Sequence, residues 1–315
     1  MISRRLIRVK SFQVLFSQIL KNENDFNHSY KELTKSISKT QDLYFLILRL
    51  IVDVRDLGLE KTETKKRKLL ATKEDLDPKM AFFNNSLIAK IEENKQYKRF
   101  QELSLNWNEF PSLVENIYKK FIASDNYQSY ILNEKNTFAN DKKIINFLLE
   151  NIIAENEDIV ETLEEMSIYW TEDFEFVLNS ISKTIRTIKL SDEDDNLYFT
   201  IYKDEDDKIF AYNLLKFVLQ NHDDYLDLIE KHTKNWEIER IIQADIVLME
   251  MAIAEFINMP SIPIKVSLNE YIELSKYYSS AKSKIFINGV LDKVIKELVA
   301  EEKIVKKGRG LIGQV

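Results

Sequence analysis

Four cations, Arg4, Arg5, Arg8 and Lys10, fall within the first ten residues with no acid among them. Such a cluster can neutralise phosphates. Arginine adds planar stacking and forked hydrogen bonding to unpaired bases, which an ammonium group does less well. Other chemistries find little material in the chain. There is no cysteine, which excludes a disulfide framework, a thiolate metal site and a cysteine nucleophile, and suits a reducing compartment. Of the three histidines, only His222 and His232 are near each other, ten apart, while His28 is remote, so no metal site is expected. The carboxylate pairs Glu164-Glu165 and Asp223-Asp224 are sequence neighbours. On a helix such neighbours point about 100° apart and cannot flank one bond. Gly308-Arg309-Gly310 follows the last predicted helix. Neither a strand nor a following helix frames it as a nucleotide cradle. No catalytic centre and no cofactor is expected.

The elements that must position the cations are helical. Five glycines and four prolines in 315 residues leave few of the punctuators that sheets need, so the composition predicts an all-α protein of long helices. From Ser3 the series Leu6, Val9, Phe12, Leu15, Phe16, Ile19, Leu20 steps by threes and fours, one helical face, with the four cations largely off it. A second helix is predicted from near Ser29 to Leu57, burying Leu33, Ile37, Tyr44, Leu48, Ile51 and Val52, with Gly58 at its end. The charged stretch Glu60 to Lys68 reads as a solvated helix or linker. The net charge is −7, and eight acids crowd into Asp192–Asp195 and Asp204–Asp207. Like charges repel, so 191–207 is predicted to be a loop carrying a short extended piece, with a domain boundary near 200. The amino terminus does not read as a secretory signal, because Gln13, Ser17 and Gln18 interrupt its apolar run. The longest apolar stretches, such as Leu43 to Leu48, fall short of the ~20 residues a membrane span needs. A soluble, cytoplasmic protein is expected.

Residues 141–170 and 207–236 repeat each other at an offset of 66. Each begins Asp-Lys (Asp141-Lys142, Asp207-Lys208), places Leu148-Leu149 or Leu214-Leu215 seven residues on, turns at Glu157-Asp158 or Asp223-Asp224, and ends in Trp170 or Trp236. Apolar positions match too: Ile144 with Phe210, Ile152 with Val218, Val160 with Leu226, Leu163 with Ile229. The pattern predicts two copies of a helix-turn-helix unit stacked to cover each other's apolar faces. A looser copy runs from Asp77 to Trp107.

The stretch from Trp236 onward carries a family resemblance. Trp236-Glu237-Ile238-Glu239-Arg240 is followed by Asp245, Leu248, Ala252 and Glu255, then by Ile262-Pro263-Ile264-Lys265-Val266 and Asn269-Glu270. Glu273-Leu274-Ser275-Lys276 and Phe286-Ile287-Asn288-Gly289-Val290-Leu291-Asp292-Lys293 complete the series. In order and spacing these residues closely resemble the carboxy-terminal half of NusB proteins. The likeness extends back through Asp207 to Phe210, Leu214-Leu215 and Asp224, and reappears in Arg8, Gln13, Leu15 and Phe16, which resemble the family's arginine-rich first helix. It covers roughly 1–57 and 205–300. The implied fold is a NusB-like helical bundle enlarged by a helical insertion: amino-terminal helices over 1–57, the insertion over 58–204, the carboxy-terminal NusB-like domain over 205–300, and a basic flexible tail over 301–315.

The resemblance implies a transcription antitermination factor that binds a single-stranded RNA, the box A element of nascent transcripts such as those of ribosomal RNA. It would do so jointly with the ribosomal protein NusE, within the transcription elongation complex. Carried over by position, Arg4, Arg5, Arg8 and Lys10 would hold backbone and bases, Gln13 would add a polar contact, and Phe16 would offer a ring. Ser283, Lys284 and Phe286 would form a second RNA-facing patch, and Glu255 matches a position facing the ribosomal partner. One departure is Ile285, where the family commonly has lysine directly before the phenylalanine; here Lys284 stands one position earlier. A helical adaptor that binds only protein is the alternative, but it would not need four cations in ten residues. The fold also occurs fused to RNA cytosine methyltransferases, whose cofactor loop and catalytic cysteine have no counterpart here.

Overall fold

The computed structural model describes residues 2–21, 25–133, 135–192, 200–233 and 241–311, and every element among them is helical. The chain divides into two compact units, one of residues 1–37 with 202–315, the other of 38–201. Helix α1 (Arg4–Leu20) starts where the Ser3 hydroxyl accepts from the Leu6 N–H at 3.2 Å, a side-chain cap for an orphan donor. Helix α2 (Phe26–Lys66) runs 41 residues without a break and contributes to both units.

Gly58, expected to end α2, lies inside it. A Cβ there would come 2.7 Å from the Tyr118 ring and 2.9 Å from the Phe83 ring, so glycine serves close approach rather than a cap. The second unit continues with α3 (Lys73–Leu76), α4 (Ser86–Glu93), α5 (Lys95–Gln101), α6 (Pro111–Ile122), α7 (Asp125–Ile131), α8 (Phe138–Phe147), α9 (Glu157–Met166) and α10 (Phe174–Thr187). Leu148–Ile153 forms a π-helical segment directly after α8. Asn85, Asn94, Ser124, Thr137 and Asn156 each cap the helix that follows, which is why so many short helices hold their ends.

The first unit resumes with α11 (Glu205–Gln220), α12 (His222–His232), α13 (Gln243–Asn258), α14 (Ile264–Tyr278) and α15 (Ser283–Ala300). Its centre is α13, buried continuously from Ala244 to Phe256 and packed against α1, α11, α12, α14 and α15. A helix without a solvent-facing polar stripe belongs in the middle of a bundle.

Both copies of the repeat form helix-turn-helix units, the first within the unit of residues 38–201 and the second within the unit of residues 1–37 and 202–315. The leading aspartate is buried in each. Asp141 accepts from the Tyr130 hydroxyl at 2.6 Å and the Ser86 N–H at 2.8 Å, and Asp207 pairs with Arg4 at 2.7 Å. The acidic corners begin helices: Glu157-Asp158 open α9, Asp223-Asp224 open α12, and Asp204 caps α11 through the Asp207 N–H. Negative charge is favoured there by the helix dipole, which turns part of the expected acidic loop into a helix start. Residues 193–199, within that predicted loop, and Trp236 lie outside the described residues. Trp170 and Trp107, which end the first copy and the looser one, are both buried. Their indole N–H groups donate to the α2 carbonyls of Lys39, at 2.8 Å, and Leu46, at 2.9 Å. The two acceptors are about two helical turns apart.

The expected flexible tail is docked through residue 311. Lys306 is buried and donates to the carbonyls of Glu255 (3.2 Å) and Met259 (3.0 Å) at the end of α13, each of which also accepts a backbone N–H. The Lys307 N–H reaches the Pro260 carbonyl at 2.9 Å, and Gly310 passes so close to that carbonyl that a Cβ would sit 2.0 Å from it.

Candidate nucleic-acid interface

The cations of α1 separate into two kinds. Arg5 is the exposed one: its Nε lies 3.0 Å from Glu270, with more than half of the side chain accessible. Arg4 is half-buried, paired with Asp207 and lying 5.4 Å from the centre of the Phe210 ring. Arg8 is inside the bundle. Its Nε and Nη2 donate to the two oxygens of Glu255 at 2.9 and 2.6 Å, and its guanidinium sits over the rings of Phe210 (5.2 Å) and Tyr271 (5.9 Å). Lys10 is buried as well, its Nζ donating to the Ser36 hydroxyl at 3.3 Å. Arg8 and Lys10 therefore cannot hold RNA in this conformation. Packing of α1 against α11 and α13, with Ser36 beside Lys10, encloses positions that helical periodicity put outside.

Glu255 is fully buried, which removes it from any surface that a protein partner could touch. It also accepts from the hydroxyls of Ser267 (2.6 Å) and Tyr271 (2.9 Å). Burial opposes ionisation of the Glu255 carboxyl, but Arg8 and the two hydroxyls outweigh it and hold the group below the ordinary carboxylate range. Burial likewise opposes the charge on Arg8, and Glu255 more than compensates, raising its affinity for the proton. This site locks α1, α13 and α14 together.

The exposed part of the face is built on α14, α15 and the outer side of α1. Phe16 is half-buried and stacks on Phe12 at 5.5 Å, and Phe12 meets the Tyr278 ring at 4.7 Å. Gln13, one turn before Phe16, is partly accessible. Three cations act on Glu273 of α14. The Lys276 ammonium donates to it at 2.5 Å, and that bond, with Arg5 and Lys284 adding to it, holds its carboxyl below the ordinary value. Arg5, Lys276 and Lys284 thus share one neighbourhood although they come from three helices. Lys284 is exposed, and so is Ile285, where the family commonly has lysine. Ser283 is buried, its hydroxyl 2.9 Å from those of both Ser279 and Ser280, and it orders the turn before α15. Phe286, half-buried, lines a cavity of about 180 Å³ together with Asp245, Ile242 and Lys282. In the sequence, Asp245 and Lys276 stand out only as members of the family pattern. Nothing local marks either as part of a surface, because their neighbours come from distant helices.

The sequence profile of the NusB family matches residues 175–296, beginning in α10 and ending in α15. The chain is 40% identical over 111 residues to the transcription antitermination protein NusB of Salinibacter ruber, a stretch covering 35% of this chain and 69% of that protein. The chain belongs to the NusB family. The NusB protein of Desulfatibacillum aliphaticivorans is 43% identical over 98 residues, 31% of this chain and 68% of the relative. That of Chloroherpeton thalassium is 42% identical over 105 residues, 33% of this chain and half of the relative's length. No solved structure matches the chain. The NusB profile starts inside the segment read from the sequence as an insertion, so α10 falls within the family match while α3 to α9 precede it. None of the described helices is long and apolar enough to cross a membrane.

Proposed function

We propose that this NusB-family protein is an RNA-binding transcription antitermination factor. It binds box A-type single-stranded RNA together with the ribosomal protein NusE, as in ribosomal RNA transcription, in the cytoplasmic elongation complex. The observation that carries the reading is that Arg5, Lys276 and Lys284 all act on Glu273, while the Phe12–Phe16–Tyr278 rings lie on α1 and α14, two of the helices that carry these cations. Cations tracking a backbone next to rings that accept bases is how single strands are held without a duplex groove. In this reading Arg4, Arg5 and Lys284 meet phosphates, Gln13 adds a polar contact, and Phe16 and Phe286 receive bases. Arg8, Lys10 and Ser283 position those groups from inside.

The test is equilibrium binding of a box A oligonucleotide, with and without NusE, across a salt series. Arg5→Ala with Lys284→Ala should weaken binding and lower the salt slope by about 0.7 for each phosphate of the single strand that is no longer neutralised. Affinity and slope equal to those of the native protein would remove this face from RNA recognition. NusE binding with no RNA affinity would favour a protein-only adaptor.

A further inference from the structure

Three carboxylates are buried along α13 at intervals of five residues: Asp245, Glu250 and Glu255. Two have a cationic partner from a neighbouring helix. Glu255 is held by Arg8, and Glu250 lies 2.7 Å from the His222 imidazole. Asp245 differs. It is 2% exposed, its Oδ1 accepts no hydrogen bond, and it lines the cavity shared with Phe286, Ile242, Ser283 and Lys282. Its place in the first turn of α13 explains why negative charge is tolerated there, since the helix dipole favours it. The dipole does not supply the missing donor. A buried acceptor without a donor destabilises the free protein and becomes an asset only when a ligand brings one.

We infer that this cavity is a nucleobase subsite in which Asp245 selects guanine. The inference rests on the RNA-binding reading above. About 180 Å³ is room for roughly a dozen waters, the scale of one heterocyclic ring system rather than a stretch of chain. Phe286 and Ile242 give it apolar walls against which a base can stack, and the exposed Lys282 stands at its edge for a flanking phosphate. Of the RNA bases, guanine alone presents two adjacent donors, N1–H and N2–H, to a carboxylate. Adenine and cytosine place an acceptor nitrogen beside their amino group, which the carboxylate repels. Uracil has one N–H between two carbonyls. Asp245 would accept both guanine donors, giving its unpartnered oxygen the bond it lacks.

The experiment measures binding of the full chain to short oligouridines carrying one guanine, one inosine, one adenine or none. A bidentate contact discriminates its base by about tenfold or more, so the guanine oligomer should bind about tenfold tighter than plain oligouridine, with inosine, which lacks N2–H, in between. Asp245→Asn replaces an acceptor by a donor. It should abolish the guanine preference, so that the guanine oligomer and plain oligouridine bind the variant with the same affinity. Equal affinities of the native protein for all four oligomers would overturn the inference while leaving RNA binding intact. Binding to none of them would overturn the RNA reading and this inference together. The base substitutions are made in the RNA, so they decide the matter even if the Asn variant folds poorly.

Discussion

The Arg8–Glu255 pair is the sharpest test of how this family fold is held. Replacing Arg8 with Met keeps most of the side-chain volume and leaves the Glu255 carboxylate buried with the Ser267 and Tyr271 hydroxyls as donors and the buried Lys306 ammonium, bound to the Glu255 carbonyl, as a remaining cation. Breaking a buried pair from one side typically destabilises by about 3–5 kcal/mol. With urea slopes of about 1–3 kcal/mol/M, the midpoint of the first unit should fall by one to several molar. The double variant Arg8→Met with Glu255→Gln removes both charges while keeping an acceptor for the two hydroxyls, so it should lose less than Arg8→Met alone. The pH dependence gives an independent sign. In the native protein Glu255 is held below the ordinary carboxylate range, so its contribution is present above about pH 4.3 and is lost as pH falls through the folded value. Without Arg8, burial dominates and raises the carboxyl, so the variant should gain stability toward acid where the native protein loses it. Urea unfolding followed by circular dichroism from about pH 2 to 8 reads both effects. A midpoint unchanged by Arg8→Met, combined with weaker RNA binding and a lower salt slope, would refute this reasoning and make Arg8 a phosphate ligand.

The buried Glu250 and the partly exposed His222 form a second pair, 2.7 Å apart although the ring N–H is not aligned on either oxygen. Contact with Glu250 raises the His222 imidazole against the pull of burial, and burial raises the Glu250 carboxyl. The His222 shift gives stability that is complete below the unfolded histidine value of about 6.5 and is lost as pH rises through the higher folded value, whereas the Glu250 shift gives stability that is complete below the unfolded carboxylate value of about 4.3 and is lost as pH rises through its own folded value. The melting temperature should therefore fall from pH 6 to pH 8.5, and His222→Gln should flatten that slope; an identical slope in the variant would exclude the pair. Gly58→Ala should destabilise the second unit by about 1–3 kcal/mol, because overpacking against Tyr118 and Phe83 outweighs a helix-propensity gain of up to about 1 kcal/mol. A variant more stable to urea would contradict the packing. Gly310→Ala should undock the tail, since its Cβ would overlap the Pro260 carbonyl, and limited trypsin digestion should then cut at Lys306 or Lys307 much faster than in the native chain.

Much of the fold is encoded locally. Scarcity of glycine and proline predicts helices throughout, and Ser3, Asn156 and Asp204 start theirs by the capping chemistry their side chains carry. The repeat is legible because each copy is one local helix-turn-helix. What covers each apolar face is not, because helical periodicity identifies such a face without naming its neighbour. The end of α2 falls beyond its expected place for a related reason. Gly58 is a stop signal only if nothing needs to approach the helix there, and the rings of Tyr118 and Phe83 do. The tail composition suggests flexibility, yet the carbonyls ending α13 and the Pro260 carbonyl beyond it give Lys306 and Lys307 something to bind.

The sequence by itself determined the class of fold, the family pattern and the presence of a basic first helix. Only the tertiary structure decided which of those cations are available. Arg8 and Lys10 have the same local environment on paper as Arg4 and Arg5. They are enclosed because α13, some 240 residues away in sequence, presents Glu255 to Arg8 at 2.6 Å, and because Ser36 meets Lys10. The Oδ1 of Asp245 was left without a donor by the same long-range arrangement. Burial and charge pairing are set by neighbours distant in the chain, and a period of 3.6 residues carries no record of them.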